Sequence, residues 1–226
     1  MDAGFNHEQT KKIEKLVASI AHEIKNPLAG ISSTVQILSS KLPPEDHRRN
    51  CIDIILEEVS RLERILDRFL MLARPRKLTK TLLDVNEIIE KVITLEQKNY
   101  DRKKIQMNFY PSPTTDKILG DAEQIQQVIL NLLINSRNAL KVGGVVDIKV
   151  ESYPEHVKIM VIDNGPGVSL RSTQEIFEPF YSTTRKGVGL GLAISRRIMR
   201  EHGGDLVYES PKQGAVFVMN LPRNQI

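Results

Sequence analysis

Apolar residues that recur every three or four positions over two long stretches constrain this chain more than any other feature of its sequence. Ile13, Val17, Ile20, Ile24, Leu28, Ile31, Val35 and Leu38 trace the seam of one long amphipathic helix, which Pro43-Pro44 stops. A second stripe, Ile52, Ile55, Val59, Leu62, Leu66, Phe69 and Ala73, runs to Arg74-Pro75, where the proline biases the chain out of helix. Two long helices joined by a short turn make an antiparallel hairpin. Seams this narrow bury too little for a lone hairpin to be stable, so pairing with a second copy into a dimeric four-helix bundle is expected.

Past residue 74 the texture changes. Residues 1–74 are expected to form the hairpin, 75–81 a linker, and 82–226 a second domain of ordinary size. Val85 to Gln97 and Ala122 to Leu140 read as helices; Val145 to Tyr153, Val157 to Ile162, Asp205 to Ser210 and Ala215 to Leu221 read as strands. The last two flank Pro211-Lys212-Gln213-Gly214 and predict a hairpin. Helices over a mostly antiparallel sheet predict an α/β sandwich of the α+β class.

Composition narrows the function classes. The 32 Lys and Arg against 28 Asp and Glu leave a net charge of +4, with no arginine-rich block and few aromatics to stack on bases, so nucleic acid is not an expected partner. Cys51 is the single cysteine and forms no internal disulfide, which fits a reducing compartment. No apolar run approaches the roughly 18 to 20 residues of a membrane span, and Met1 to Lys12 is polar rather than signal-like. The chain as given is expected to be soluble.

Four constellations carry chemistry. In the first helix, His22 lies about 200° around from Ile20 and Ile24 and so faces away from the seam. A lone exposed histidine is ordinarily a solvated side chain, but here Glu23 is adjacent to hold or deprotonate the ring, and Asn26 follows one turn on. Pro27 removes the amide that would bond the Glu23 carbonyl, at a cost of about 3 kcal/mol in a helix interior. A kink there loosens the backbone where a bulky partner must approach. The second constellation is Asn131, Asn135 and Asn138 at i, i+4 and i+7, a polar stripe on one helix face. Solvated faces ordinarily use Glu and Lys, whereas amide oxygens suit a hard cation that keeps waters and bridges phosphates, which describes Mg2+.

Third, the apolar strand through Val161 and Ile162 ends at Asp163, with Gly165 and Gly167 in a tight turn. Fourth, Ile176 to Tyr181 precedes the segment Ser182 to Lys186 and then Gly187-Val188-Gly189-Leu190-Gly191-Leu192. Alternating glycines ahead of an amphipathic helix expose amides at a helix N-terminus, a ready phosphate site. A dinucleotide-binding fold is disfavoured, because no acidic residue follows about 20 residues on after a further parallel strand.

His22 to Leu28 resembles, at every position, the acceptor motif of the dimerisation and phosphoacceptor domain of histidine kinases: His-Glu-aliphatic-basic-Asn/Thr-Pro-Leu. The asparagine stripe, Asp163-x-Gly165-x-Gly167 and the glycine-rich run resemble, in order, the nucleotide motifs of the ATPase superfamily that joins these kinases with DNA gyrase, the MutL proteins and the heat-shock chaperones. The resemblance implies that ATP, with Mg2+ on Asn135 and also Asn131, phosphorylates His22, with Glu23 as general base. It implies that Asp163 accepts from the adenine amino group, and that Asn26 positions a water when the partner is dephosphorylated. That partner would be the receiver domain of a response regulator, docking below His22 on a face including Gly30, Ser33, Thr34 and Ile37. Phosphate contacts would come from Gly187, Gly189, Leu190, Gly191 and Leu192 and from a short lid, Tyr181 to Lys186.

Two positions depart from the family pattern. The usual lid lysine is Thr184, which leaves Arg185 and Lys186 as candidates for the cation, with Arg185 favoured because its planar fork engages two phosphate oxygens. Asn131 stands where the ATP-hydrolysing members carry a glutamate, and an amide cannot activate water, so the γ-phosphoryl is expected to go to another nucleophile. Competing expectations are a catalytically silent scaffold and a serine kinase of the anti-sigma type, though the latter lacks an acceptor helix. The resemblance places the chain in the cytoplasm, alone or as the cytoplasmic portion of a membrane-bound sensor.

Overall fold

The structure is a computed structural model that describes residues 2–73, 77–114, 117–169, 173, 175–182, 188–211 and 213–223. The chain divides into two compact units, Met1–Arg76 and Lys77–Ile226. The first holds helix α1 (Asp2–Ser40) and helix α2 (Arg48–Ala73). Pro27 lies inside α1 without ending it. The turn between the helices is fastened by Arg49, whose guanidinium donates to the carbonyl oxygens of Ser39 (3.2 Å), Leu42 (2.6 Å) and Pro43 (2.8 Å). Ser39 and Pro43 also accept from the amides of Leu42 and Asp46, so the one guanidinium ties the end of α1 to the turn that follows it.

The seam between α1 and α2 is narrower than the apolar stripe suggests. Ala21 and Leu28 of α1 and Ile52 and Val59 of α2 are buried, while Ile20, Ile24, Ile31 and Leu38 on α1 and Ile55 and Leu62 on α2 stay exposed. Two adjacent stripes therefore share each helix, one used within the chain and one left bare. Ala21 is absent from the expected seam because its side chain is too small to mark a stripe, and that smallness is what lets the helices approach. Lys25 of α1 and Asp67 of α2 add an exposed ion pair at 2.5 Å, of the kind that contributes about 0–1 kcal/mol.

The second unit contains β1 (Thr81–Asp84), α3 (Val85–Arg102), β2 (Gln106–Tyr110), β3 (Lys117–Gly120) and α4 (Ala122–Ala139), then β4 (Val145–Ser152), β5 (His156–Asp163), α5 (Gly191–Glu201), β6 (Asp205–Glu209) and β7 (Ala215–Pro222). The larger sheet has the order β2-β4-β5-β7-β6; β2 and β4 are parallel and the other neighbours antiparallel. β1 and β3 form a separate antiparallel pair. Along β4 every second residue, Val146, Ile148 and Val150, is buried, the pattern of a sheet with one face on a core. The facing helices contribute Ile88 and Ile89 from α3, Leu132 and Leu133 from α4, and Ile198 and Met199 from α5. Each such side chain contributes roughly 1.5–3 kcal/mol by leaving water.

Aspartates start two of these helices. Asp84 accepts from the amides of Asn86 and Glu87 at the head of α3, and Asp121 accepts from the Gln124 amide at the head of α4. Asp121 also accepts from the Thr79 amide at 3.0 Å. The segment expected as a linker over 75–81 is thus anchored to the second unit from Thr79 onward. The expected hairpin is β6–β7, and the helix from Val85 continues to Arg102, past the expected Gln97.

Candidate active site

His22 and Glu23 lie on the solvent side of α1, one residue past the buried Ala21, and Asn26 is exposed one turn on. The Ser19 hydroxyl donates to Glu23 Oε1 at 3.4 Å. A nucleophile that must accept a group from a second body has to be reachable, and this face is.

In the second unit α4 is the element that gathers the chemistry. Asn131 and Asn135 are half-buried and Asn138 exposed, while Val128, Leu132 and Leu133 between them are fully buried. Asn131 is oriented by α5: its Nδ2 donates to the hydroxyl of buried Ser195 at 3.0 Å. Its Oδ1 lies against Gly191, where a β-carbon would come within 2.3 Å of it. A side chain at the position that opens α5 would therefore displace the Asn131 amide from its place beside Ser195. Leu190 is fully buried ahead of α5 and provides no side-chain cap, and the first amides of the helix have no partners within it.

Asp163 ends β5 and is only 4% exposed. Its Oδ1 accepts from the Gly165 amide (3.0 Å) and its Oδ2 from the hydroxyl of Ser136 (2.9 Å), a residue of α4 that is itself 1% exposed. Burial pushes the carboxyl above its ordinary pKa, and hydrogen bonds from Gly165 N–H and the Ser136 hydroxyl, with the Ala215 amide nearby, pull it back without cancelling the rise. A raised folded-state value means that the protonated carboxyl favours the fold, and that contribution is lost as pH rises through that value. Ionising this buried carboxyl in the folded chain therefore costs stability.

The turn after Asp163 packs on the β6–β7 hairpin rather than standing free. Gly167 (φ +71°) and Gly214 (φ +83°) touch backbone to backbone: a β-carbon on Gly167 would lie 2.5 Å from the Gly214 oxygen, and one on Gly214 1.8 Å from the Asp163 oxygen. Farther on, the Phe180 amide donates to the Gly189 carbonyl at 3.0 Å, joining the two ends of the segment expected to form the lid. Thr184, Arg185, Lys186 and Gly187 fall outside the described residues.

Two serines escape a reading of sequence alone. Ser136 continues the buried stripe Val128, Leu132 at i+4, and a polar residue on such a stripe needs a hydrogen-bond partner, a signal that could have exposed it. Ser195 sits likewise on the buried side of α5 with Ala193, Ile194 and Ile198 as neighbours.

The comparisons with known proteins follow the same division of the chain. Residues 12–78 match the His Kinase A (phospho-acceptor) domain, and residues 120–225 match the histidine kinase-, DNA gyrase B- and HSP90-like ATPase family. Sporulation kinase C of Bacillus subtilis (strain 168) is 38% identical over 211 residues, covering 92% of this chain and 48% of that protein. The chain spans about half the length of the curated relatives it matches. Among solved structures, full-length ShkA in complex with AMPPNP superposes with a TM-score of 0.83 at 25% identity, covering 94% of this chain and 47% of that one. Histidine kinase ThkA in complex with the response regulator TrrA gives 0.71 at 30% identity, covering 96% and 64%. A phospho-acceptor helix pair followed by a nucleotide-type sandwich, in that order and with relatives of this kind along its length, makes the chain a catalytic core of the histidine kinase family.

Proposed function

We propose that the chain uses ATP to phosphorylate His22, passes the phosphoryl group to an aspartate of a response regulator, and also removes it from that regulator. The observation that carries this reading is the exposed His22–Glu23 pair on α1, in a chain whose second unit gathers Asn131, Asp163 and the start of α5 around one helix. The ring nitrogen of His22 remote from the backbone forms the N–P bond as the bond from the γ-phosphorus to the bridging oxygen breaks and ADP leaves. Glu23 accepts a hydrogen bond from the other ring nitrogen, which fixes the tautomer and sharpens the nucleophile. Transfer to a carboxylate then breaks the N–P bond and leaves the histidine free.

Nucleotide binding divides between the middle of α4 and its C-terminal end. Asp163 would accept from the adenine amino group, and the amides of Gly191 and Leu192, with those of Gly187, Gly189 and Leu190, would face the phosphates. Among the described residues no cluster of three or more His, Cys, Asp or Glu could hold a metal by itself. The donors on offer are amide oxygens, which fits Mg2+ shared with phosphates and water: Asn135 would hold it, with the Asn131 oxygen and Asn138 close by. When bound, the ion would neutralise charge on the triphosphate.

Two surfaces of the first unit support the partner assignments. The bare stripe of Ile20, Ile24, Ile31, Leu38, Ile55 and Leu62 is what a second copy would cover in a four-helix bundle. On the face that carries His22, Gly30, Ser33, Thr34 and Ile37 are all exposed, and a β-carbon on Gly30 would meet nothing within 4 Å, which leaves room for a regulator.

The deciding experiment is incubation with γ-labelled ATP. Label on the protein that is lost in acid and kept in alkali identifies phosphohistidine; no label makes the chain a silent scaffold, and acid-stable label makes it a hydroxyl kinase. A second expectation concerns Asp163→Asn, which should weaken ATP binding by about 1.5–3 kcal/mol, the value of a charge-assisted hydrogen bond. Its melting temperature should stay level or rise, because the buried charge is gone. Unchanged affinity by calorimetry would place the adenine elsewhere.

A further inference from the structure

Asp163 holds two donors already, one on each oxygen: Gly165 N–H on Oδ1 at 3.0 Å and the Ser136 hydroxyl on Oδ2 at 2.9 Å. An ionised carboxylate offers about four lone-pair positions. One position on each oxygen is taken, which fixes the plane of the carboxylate and so the directions from which a further N–H donor is accepted. The Gly165 donor is a backbone amide and cannot be varied by sequence. Ser136 is the only one of them supplied by a side chain, and it comes from α4, next in sequence to Asn135.

We propose that Ser136 is a positioning residue for base selection, its hydroxyl fixing the rotation of the Asp163 carboxylate so that a free lone pair meets a 6-amino group. This rests on the reading of Asp163 as the adenine contact. A serine in mid-helix ordinarily turns its hydroxyl back to the carbonyl four residues earlier; this one is committed across to β5 instead. With alanine in its place, the carboxylate keeps its Gly165 amide donor but regains rotational freedom. The hydroxyl also joins α4, which bears the asparagine stripe, to the strand that bears the base contact. The two ends of the site, Asn131 with Ser195 and Ser136 with Asp163, are thereby set about 7.5 Å apart along one rigid helix.

The test compares ADP with IDP, which carries a keto oxygen in place of the 6-amino group, by calorimetry on the full chain with a chelator present so that no metal contributes. The unchanged protein should prefer ADP. Ser136→Ala should weaken ADP by about ten-fold, the usual loss for a hydrogen bond to a charged group, and should bind IDP no more weakly, so that the preference collapses. Ser136→Thr, which keeps the hydroxyl, should retain it. Equal losses for both nucleotides would show that Ser136 only supports the fold, and an undiminished preference in Ser136→Ala would show that the Gly165 amide suffices; either overturns the proposal while leaving Asp163 as the base contact. Absence of any ADP preference in the unchanged protein would overturn the base contact itself, and the proposal with it.

Discussion

Incubated with ATP, the His22→Ala protein should carry no acid-labile phosphate and yet bind nucleotide as the unchanged chain does. The phosphoryl acceptor and the nucleotide residues belong to separate compact units, so the substitution leaves Asp163, Asn135 and the start of α5 untouched. The fold should survive as well. His22 is exposed, alanine is the better helix former, and surface substitutions of this kind usually change stability by no more than about 0.5 kcal/mol. Removing a nucleophile that must form a covalent bond leaves nothing for the remaining groups to assist, and losses of roughly 1,000-fold or more are usual. The measurement is label retained after denaturation and alkali, beside calorimetry with ADP. Acid-labile label on the variant would mean that another residue is the acceptor, and a parallel loss of ADP binding would mean that His22 supports the nucleotide unit in some other way.

The parts of this molecule legible in its sequence are those whose cause is local. α1 and α2 announce themselves through apolar spacing, α4 through Val128, Leu132 and Leu133, and β6–β7 through the turn that joins them. What escaped is non-local. β2 pairs in parallel with β4 and β1 pairs with β3 across more than thirty residues, so no adjacent turn marks either, and β1, β2 and β3 are each four or five residues long with polar positions in them. The same limit applies to the site. The asparagine stripe, Asp163 and the glycines are visible as spacings, whereas the contacts that aim them are not. Ser195 turning Asn131, Ser136 holding Asp163, and Gly214 closing on Gly167 each link segments 47 to 64 residues apart or, for Ser136, 27 residues apart. Gly191 was expected for its amide, and it has a second reason to be glycine in the oxygen of Asn131. In the hairpin seam Leu28, Ile52 and Val59 are buried as expected, Ala21 joins them without having been marked, and Ile20, Ile24 and Ile31 of the same expected stripe stay exposed.

Asn26→Ala should separate two activities that share His22. Asn26 lies one turn beyond the histidine on an exposed face, just before Pro27, which interrupts the hydrogen bonding of α1 without ending the helix. Autophosphorylation needs the ring nitrogen, its neighbour Glu23 and the nucleotide, and none of these depends on the Asn26 amide, so the initial rate of label uptake should stay within a few-fold. Hydrolysis of the regulator's phosphoaspartate has a different requirement. The attacking water must be held in line with phosphorus, and the histidine, still present, does not donate its own nitrogen to that bond. An amide one turn away can hold such a water through a single hydrogen bond, and loss of an orienting contact of this kind commonly costs about 10 to 1,000-fold in rate. Alanine at position 26 should not unfold the helix, because the side chain it removes is exposed and alanine favours helix more than asparagine does. Both rates are to be measured with one cognate regulator and one protein preparation. If the kinase step falls as far as the phosphatase step, Asn26 positions the acceptor or supports the helix, and the assignment of a separate hydrolytic role fails.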